Sequence, residues 1–204
     1  MKAYIDPPSR TRFLLRFGTW IAERKTHKPM LVARILGWYP KAAVGAGVME
    51  SLVAHSDGRA TARLLTLLRM QVSFMASCPF CIDMNSAEYD AFGISVDEIE
   101  VLQQRRDLDV AESFSRDEKL ALRYARALTA TPVRIESGLV RDLLAAFSER
   151  ELVVLASTIA QVNFWTRMVQ GLGVPPAGFS ESCAALRLDD FATLDVHGDA
   201  TGDA

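Results

Sequence analysis

Three times in this chain a serine is followed three residues later by a glutamate, and each time an apolar-periodic run begins there: Ser95 with Glu98, Ser115 with Glu118, Ser148 with Glu151. A serine so placed accepts from an unpaired N–H of a first helical turn, while the glutamate reaches back to the serine's own N–H. The spacing predicts helices over 96–105, 116–130 and 149–171. Gly171 and Gly173, followed by Pro175-Pro176, end the longest of them. A further helix over 136–147 fits between Pro132 and Ser148.

Upstream the same period continues. Residues 10–25 place Phe13, Leu14, Phe17, Trp20 and Ile21 on one face. Pro29 opens a second helix that runs to Trp38, and Pro40 separates it from a third reaching about His55. Asp57-Gly58 marks a turn, and 60–76 reads as a long apolar helix. Phe80 to Ala91 carries no breaker and reads as helix too. No alternating strand pattern competes, so the expected fold class is all-α. At 204 residues, 50% of them hydrophobic, the chain is long enough for one substantial core. The expected organisation is an N-terminal helical extension over 1–57 that packs on the body, a helical core over 58–175, and a C-terminal extension over 176–204. The end of that extension, 195–204, reads as a poorly ordered tail. A faint internal echo relates Gln71-Val72-Ser73-Phe74-Met75 to Gln161-Val162-Asn163-Phe164-Trp165.

Charge and composition narrow the function. A formal charge of −2 gives no general case for nucleic-acid binding. Residues 1–41 carry a net +7 and the remainder −9, which fits either a docking arm or a solvated basic helix face. The longest apolar stretch, 64–82, is interrupted by Arg69 and Pro79, so no membrane span is expected. Three cysteines and an N-terminus without an apolar leader point to a reducing cytoplasm. Gly45-Ala46-Gly47 sits inside a helical run and follows no strand, so it reads as close helix packing rather than a phosphate loop. The aromatic set Trp20, Trp38, Tyr39, Phe74 and Trp165 reads as core or subunit contact.

The chemistry concentrates in Ser77-Cys78-Pro79-Phe80-Cys81-Ile82-Asp83-Met84-Asn85. Two residues between cysteines suit reversible disulfide chemistry or half of a metal site. Proline fits the first helical position after a Cys78 cap, because its missing N–H costs nothing there. A thiolate forms more easily beside the free N–H groups of a first turn. Zinc needs four ligands, and the others on offer (Cys183, His27, His55 and His197) are scattered and never paired. No metal or cofactor is expected, and Cys183 reads as an incidental thiol.

The segment Ala76-Ser77-Cys78-Pro79-Phe80-Cys81-Ile82-Asp83-Met84, entered from the apolar run 64–75, resembles the carboxymuconolactone decarboxylase and alkylhydroperoxidase D superfamily. The run from Ser148-Glu149-Arg150-Glu151-Leu152 through Asn163-Phe164-Trp165-Thr166-Arg167 to Leu172-Gly173-Val174 resembles its final helix and exit. The likeness covers about residues 60–175. It implies an alkylhydroperoxidase D-like helical bundle with Cys-x-x-Cys at a helix N-terminus, assembled as a homo-oligomer. For members with the thiol pair it implies peroxidase, antioxidant chemistry through a redox-active disulfide. Carried over, Cys81 is the attacking thiolate and Cys78 the resolving thiol, the substrate is a small hydroperoxide, and a dithiol reductant resets the site.

Two positions depart from that pattern. Four residues after Cys81, where peroxidatic members have a histidine, stands Asn85. Twelve residues before Cys78, where they have a glutamate, stands Thr66. Neither side chain takes up a proton at neutral pH. Asp83 matches an acid of the motif but falls on the opposite helix face from Cys81, whereas Glu88, one helical repeat further on, shares the Cys81 face but lies too far along it for direct contact. Two other readings follow: a lyase of the carboxymuconolactone decarboxylase branch, whose members generally do without a thiol pair, and a helical assembly protein that has lost catalysis.

Overall fold

The structure, a computed structural model, describes residues 2–11, 13–52 and 55–180. The expected tail, Cys183 and His197 lie outside the described residues. In chain order the helices are α1 (Phe13–Thr26), α2 (Leu31–Ile35), α3 (Pro40–Leu52), α4 (Ala62–Met75), α5 (Pro79–Asn85), α6 (Val96–Leu102), α7 (Arg116–Thr129), α8 (Ser137–Ala146) and α9 (Glu149–Gly171). Single 3-10 turns, Leu36–Trp38 and Asp90–Phe92, extend α2 and precede α6. Among the described residues there is no strand, only an isolated bridge between Asp57 and Ala60 across the Asp57-Gly58 turn. The fold class is all-α, as the periodicity predicts.

Each of the three serine–glutamate pairs forms a reciprocal cap, at the starts of α6, α7 and α9. Thr61 caps α4 by accepting from the Leu64 N–H. That helix is buried nearly all round, its Thr66, Gln71 and Ser73 included, which puts it in the middle of the bundle. It packs against α5, α7 and α9. Leu67, Leu68, Met70 and Val72 meet Leu122, Ala125, Leu155 and Ile159 in the main core. Burying each such side chain fully contributes roughly 1.5–3 kcal/mol before entropy is counted. Helix α9 is by length and composition apolar enough to cross a membrane. Here it packs on α4, α7 and α8 instead.

Several polar residues inside the bundle tie its helices together. Arg63 reaches Glu98 at 2.6 Å and Glu118 at 2.8 Å, tying α4 to the two capped helix starts at once. Gln71, fully buried, donates to the Leu102 carbonyl and accepts from Arg126. Its echo residue Gln161 instead donates to Glu50, so the two glutamines anchor different parts of the chain.

A second, smaller apolar cluster lies beside the first. Val32, Ile35 and Leu36 from the α2 region, Ala46 from α3, and Val169 and Val174 from the α9 exit surround Cys78, Phe80 and Cys81. The apolar stripe expected on α1 is present but faces outward: Phe13, Phe17, Trp20 and Ile21 are all exposed. Several expected elements are shorter than predicted: the helix expected to reach residue 105 stops at Leu102, and the one expected over 29–38 is α-helical only over Leu31–Ile35. The helix that begins at Pro79 ends at Asn85, not Ala91. Asn and Ser are weak helix formers whose side chains compete for local partners, and Asn85 spends its amide on Ser73 of α4. Glu88 is therefore not on a continued Cys81 face; it is exposed in the turn that follows.

Candidate functional site: a buried thiol pair

Ser77 adopts a left-handed backbone (φ 46°), which turns the chain sharply between α4 and α5. The Cys78 N–H then donates to the Ser73 carbonyl at 3.2 Å, fixing Cys78 at the N-cap of α5 with Pro79 as first helical residue. In this position the sulfur takes the place of the usual capping oxygen. The Cys81 N–H donates to Cys78 Sγ across 3.3 Å. Both cysteines are free thiols, and both are buried, at 0% and 3% exposure.

The electrostatics of the pair are unequal. The Cys81 thiol donates to Cys78, and this chiefly holds the Cys78 thiol below its ordinary pKa; burial opposes it, and the N–H groups of Cys81 and Phe80 reinforce it. Cys81 is pushed far up, first because its proton is held by Cys78, then by burial and by the neighbouring charge. The first negative charge therefore settles on Cys78, with Cys81 keeping its proton.

No acid or base replaces the two departures from the motif at their own positions. Asn85 Nδ2 donates to Ser73 Oγ at 2.9 Å, and that hydroxyl donates in turn to the Arg69 carbonyl. Thr66 donates to its own helix, at the Ala62 carbonyl. Glu50 on α3 is the carboxylate brought to the neighbouring α9 face, where it accepts from Gln161 and from the Trp165 indole. Nothing local in the sequence signals that contact, since more than 110 residues separate the partners. Among the described residues no group of three or more His, Cys, Asp or Glu is placed to hold a metal ion.

Asp83 has the role that sequence reasoning missed. It is fully buried on the face of α5 away from the thiols. Its Oδ2 accepts from the N–H groups of Ala177 and Gly178, and its Oδ1 accepts from the N–H and hydroxyl of Ser180, all at 2.8–2.9 Å. Phe179 sets its ring edge-on to Phe80, with centroids 6.3 Å apart. One carboxylate thus pins residues 177–180 to the helix that carries both sulfurs. The only signal for this was an acid in a motif, facing the wrong way for catalysis.

No family model matches the chain. The protein YnjA of Escherichia coli, itself uncharacterised, is 24% identical over 174 residues, which is 85% of this chain and 94% of that one. Among solved structures, an uncharacterised peroxidase-related protein of Ralstonia eutropha, described as an alkylhydroperoxidase AhpD core, superposes with a TM-score of 0.74 at 14% identity, over 87% of this chain and 94% of its own. A cysteine-to-alanine variant of the debrominase Bmp8, in complex with 2,3,4-tribromopyrrole, also gives 0.74, at 16% identity over 94% of this chain and 98% of its own. The chain has the alkylhydroperoxidase D-like helical fold, which the thiol segment's resemblance implied.

Proposed function

We propose that the protein is a thiol-dependent oxidoreductase that works through a Cys78/Cys81 dithiol–disulfide cycle, with small hydroperoxides as its substrates. The observation that carries this reading is the hydrogen bonding between the two cysteines, which keeps the sulfurs adjacent and one of them easily ionised. A thiolate attacks the peroxide oxygen, the O–O bond breaks, and an alcohol leaves after taking up a proton. The sulfenic acid formed is then attacked by the second sulfur, releasing water and closing the disulfide. An external dithiol reverses this by exchange and supplies the two electrons.

The resemblance assigns the attack to Cys81. The resting hydrogen bonds support the opposite order, with Cys78 as the ionised sulfur and Cys81 as the proton source. In that order the missing histidine matters less, because the Cys81 thiol and the first-turn N–H groups donate to the Cys78 thiolate and stabilise it without a base beside it. Such a site is slower than one with a dedicated base. The same two-electron dithiol suits another electrophile as well: a halogen on an electron-rich ring, which leaves as halide while the ring gains a proton. The fold shared with the debrominase motivates that second reading.

Hydroperoxide consumption with a dithiol reductant tests the proposal. Cys78→Ser and Cys81→Ser each abolish it, and only the variant retaining the attacking sulfur still traps a sulfenic acid after one equivalent of oxidant. Unchanged turnover in either variant, or turnover that survives complete thiol alkylation, refutes the dithiol cycle and favours the lyase. Failure to form an intramolecular disulfide under mild oxidant favours the catalytically lapsed assembly. We read the protein as cytoplasmic, where the pair is kept reduced, and as a homo-oligomer. The outward stripe of Phe13, Phe17, Trp20 and Ile21 supports the second point; light scattering that reports a monomer at micromolar concentration overturns it.

A further inference from the structure

We infer that residues 174–180 form a gate beside the dithiol, and that Asp83 is the positioning residue that latches it. The inference rests on the dithiol reading above, but its test needs no turnover. Both cysteines are sealed in the second apolar cluster. A peroxide or a reducing dithiol must touch sulfur, so part of the cover has to move.

The cover is of two kinds. Ile35, Ala43 and Ala46 come from helical segments held by their own ladders of backbone bonds. Residues 174–180 have no such ladder; this segment leaves α9 in irregular conformation. Val174, Ala177 and Phe179 pack into the cluster that holds the sulfurs. Among the described residues, the side-chain anchorage of 177–180 converges on Asp83, whose two oxygens take four hydrogen bonds. An attachment that ends on a single carboxylate is released as a unit. The segment's backbone also suits movement. Gly173 (φ 63°) and Gly178 (φ 76°) hold left-handed conformations on either side of Pro175-Pro176. Two permissive glycines flanking a stretch of fixed φ make a short stiff span between two swivels. Because Asp83 stands two residues after Cys81, release of the span also unpins the thiol helix itself.

The test is the rate at which iodoacetamide labels Cys78 and Cys81, read by mass spectrometry on the full chain carrying Cys183→Ser, so that the third cysteine does not interfere. Asp83→Asn replaces one accepting oxygen by an amide that donates, sets it against N–H groups that also donate, and so breaks part of the latch. Phe179→Ala leaves the latch intact and removes the ring that seats the span. Each raises the labelling rate about tenfold, the change expected when local opening becomes easier by one hydrogen bond or one contact. A thermal melt shows that each variant is folded; if Asp83→Asn is not, Phe179→Ala decides alone. Folded variants that label at the parent rate overturn the gate. Fast labelling without hydroperoxide turnover in the parent leaves the gate standing and sinks the redox reading, whereas thiol-dependent turnover with unchanged labelling sinks only the gate.

Discussion

The two apolar clusters are built differently. The main core draws on helices whose starts are capped by their own sequence, and α4 passes through its middle with buried residues on every side. The second is assembled from pieces far apart in the chain: the α2 region, α3, the short α5, and the segment after α9. Its outer parts are secured by a few long-range contacts, among them Glu23 to Arg34, Glu50 to α9 and Asp83 to 177–180. The thiols lie in the second cluster. On the proposed reading, the reactive groups then sit in the cluster held by fewer local contacts, where local opening is expected to cost least.

Five changes break or sharpen this contrast, the largest expected effect first and the smallest last. Leu67→Ala, at a fully buried core position, is expected to cost about 3–5 kcal/mol in denaturant unfolding. The matched Ile35→Ala in the second cluster should cost less of the global value, about 1–2 kcal/mol, because that region already opens locally; amide exchange in α2 and α3 should accelerate while α4 stays protected. Equal losses at the two sites would erase the distinction. Arg63→Met strands the buried Glu98 carboxylate. Its expected cost is about 2–3 kcal/mol, below the full loss of a buried pair because Arg63 keeps 26% of its side-chain surface.

Ser95→Ala removes the hydroxyl that caps α6 and should cost about 1 kcal/mol without touching thiol chemistry. The smallest change is in pH. With Cys78 held below the ordinary thiol value, its alkylation should rise with pH and level off below the range of a free cysteine, about 8.5. Cys81 should label far more slowly than Cys78 over that interval. The sign for stability follows for the pair: the lowered Cys78 value stabilises the folded chain as pH rises toward that of a free thiol, and the raised Cys81 value takes stability away again above it. A labelling midpoint above that of free cysteine would reverse the assignment of charge within the pair.

The main core was legible because its instructions are local. The three serine–glutamate caps, the apolar run of α4 and the Gly-Pro exit of α9 each act within a few residues, and each appears where the spacing predicts it. The thiol segment was legible for the same reason, as Cys78 and Pro79 announce a helix start on their own. What escaped depends on partners brought together only by folding. Asn85 ends its helix because Ser73 is there to receive its amide. Helix spacing already turned Asp83 away from the sulfurs, but nothing local said that Ala177, Gly178 and Ser180 would arrive on that side to meet it. An apolar stripe on α1 was plain in the sequence, but nothing local said that it would face outward.

One contact joins the beginning of the chain to the exit of its longest helix. The Tyr4 N–H donates to the Leu172 carbonyl, and the Tyr4 ring fills the space where a side chain on residue 173 would stand, 2.7 Å from that position. A truncated fragment beginning at α4 keeps the whole thiol motif yet discards this clasp and the α2–α3 wall. Such a fragment reproduces the words of the motif without the wall of Val32, Ile35, Leu36 and Ala46 that helps bury its two sulfurs.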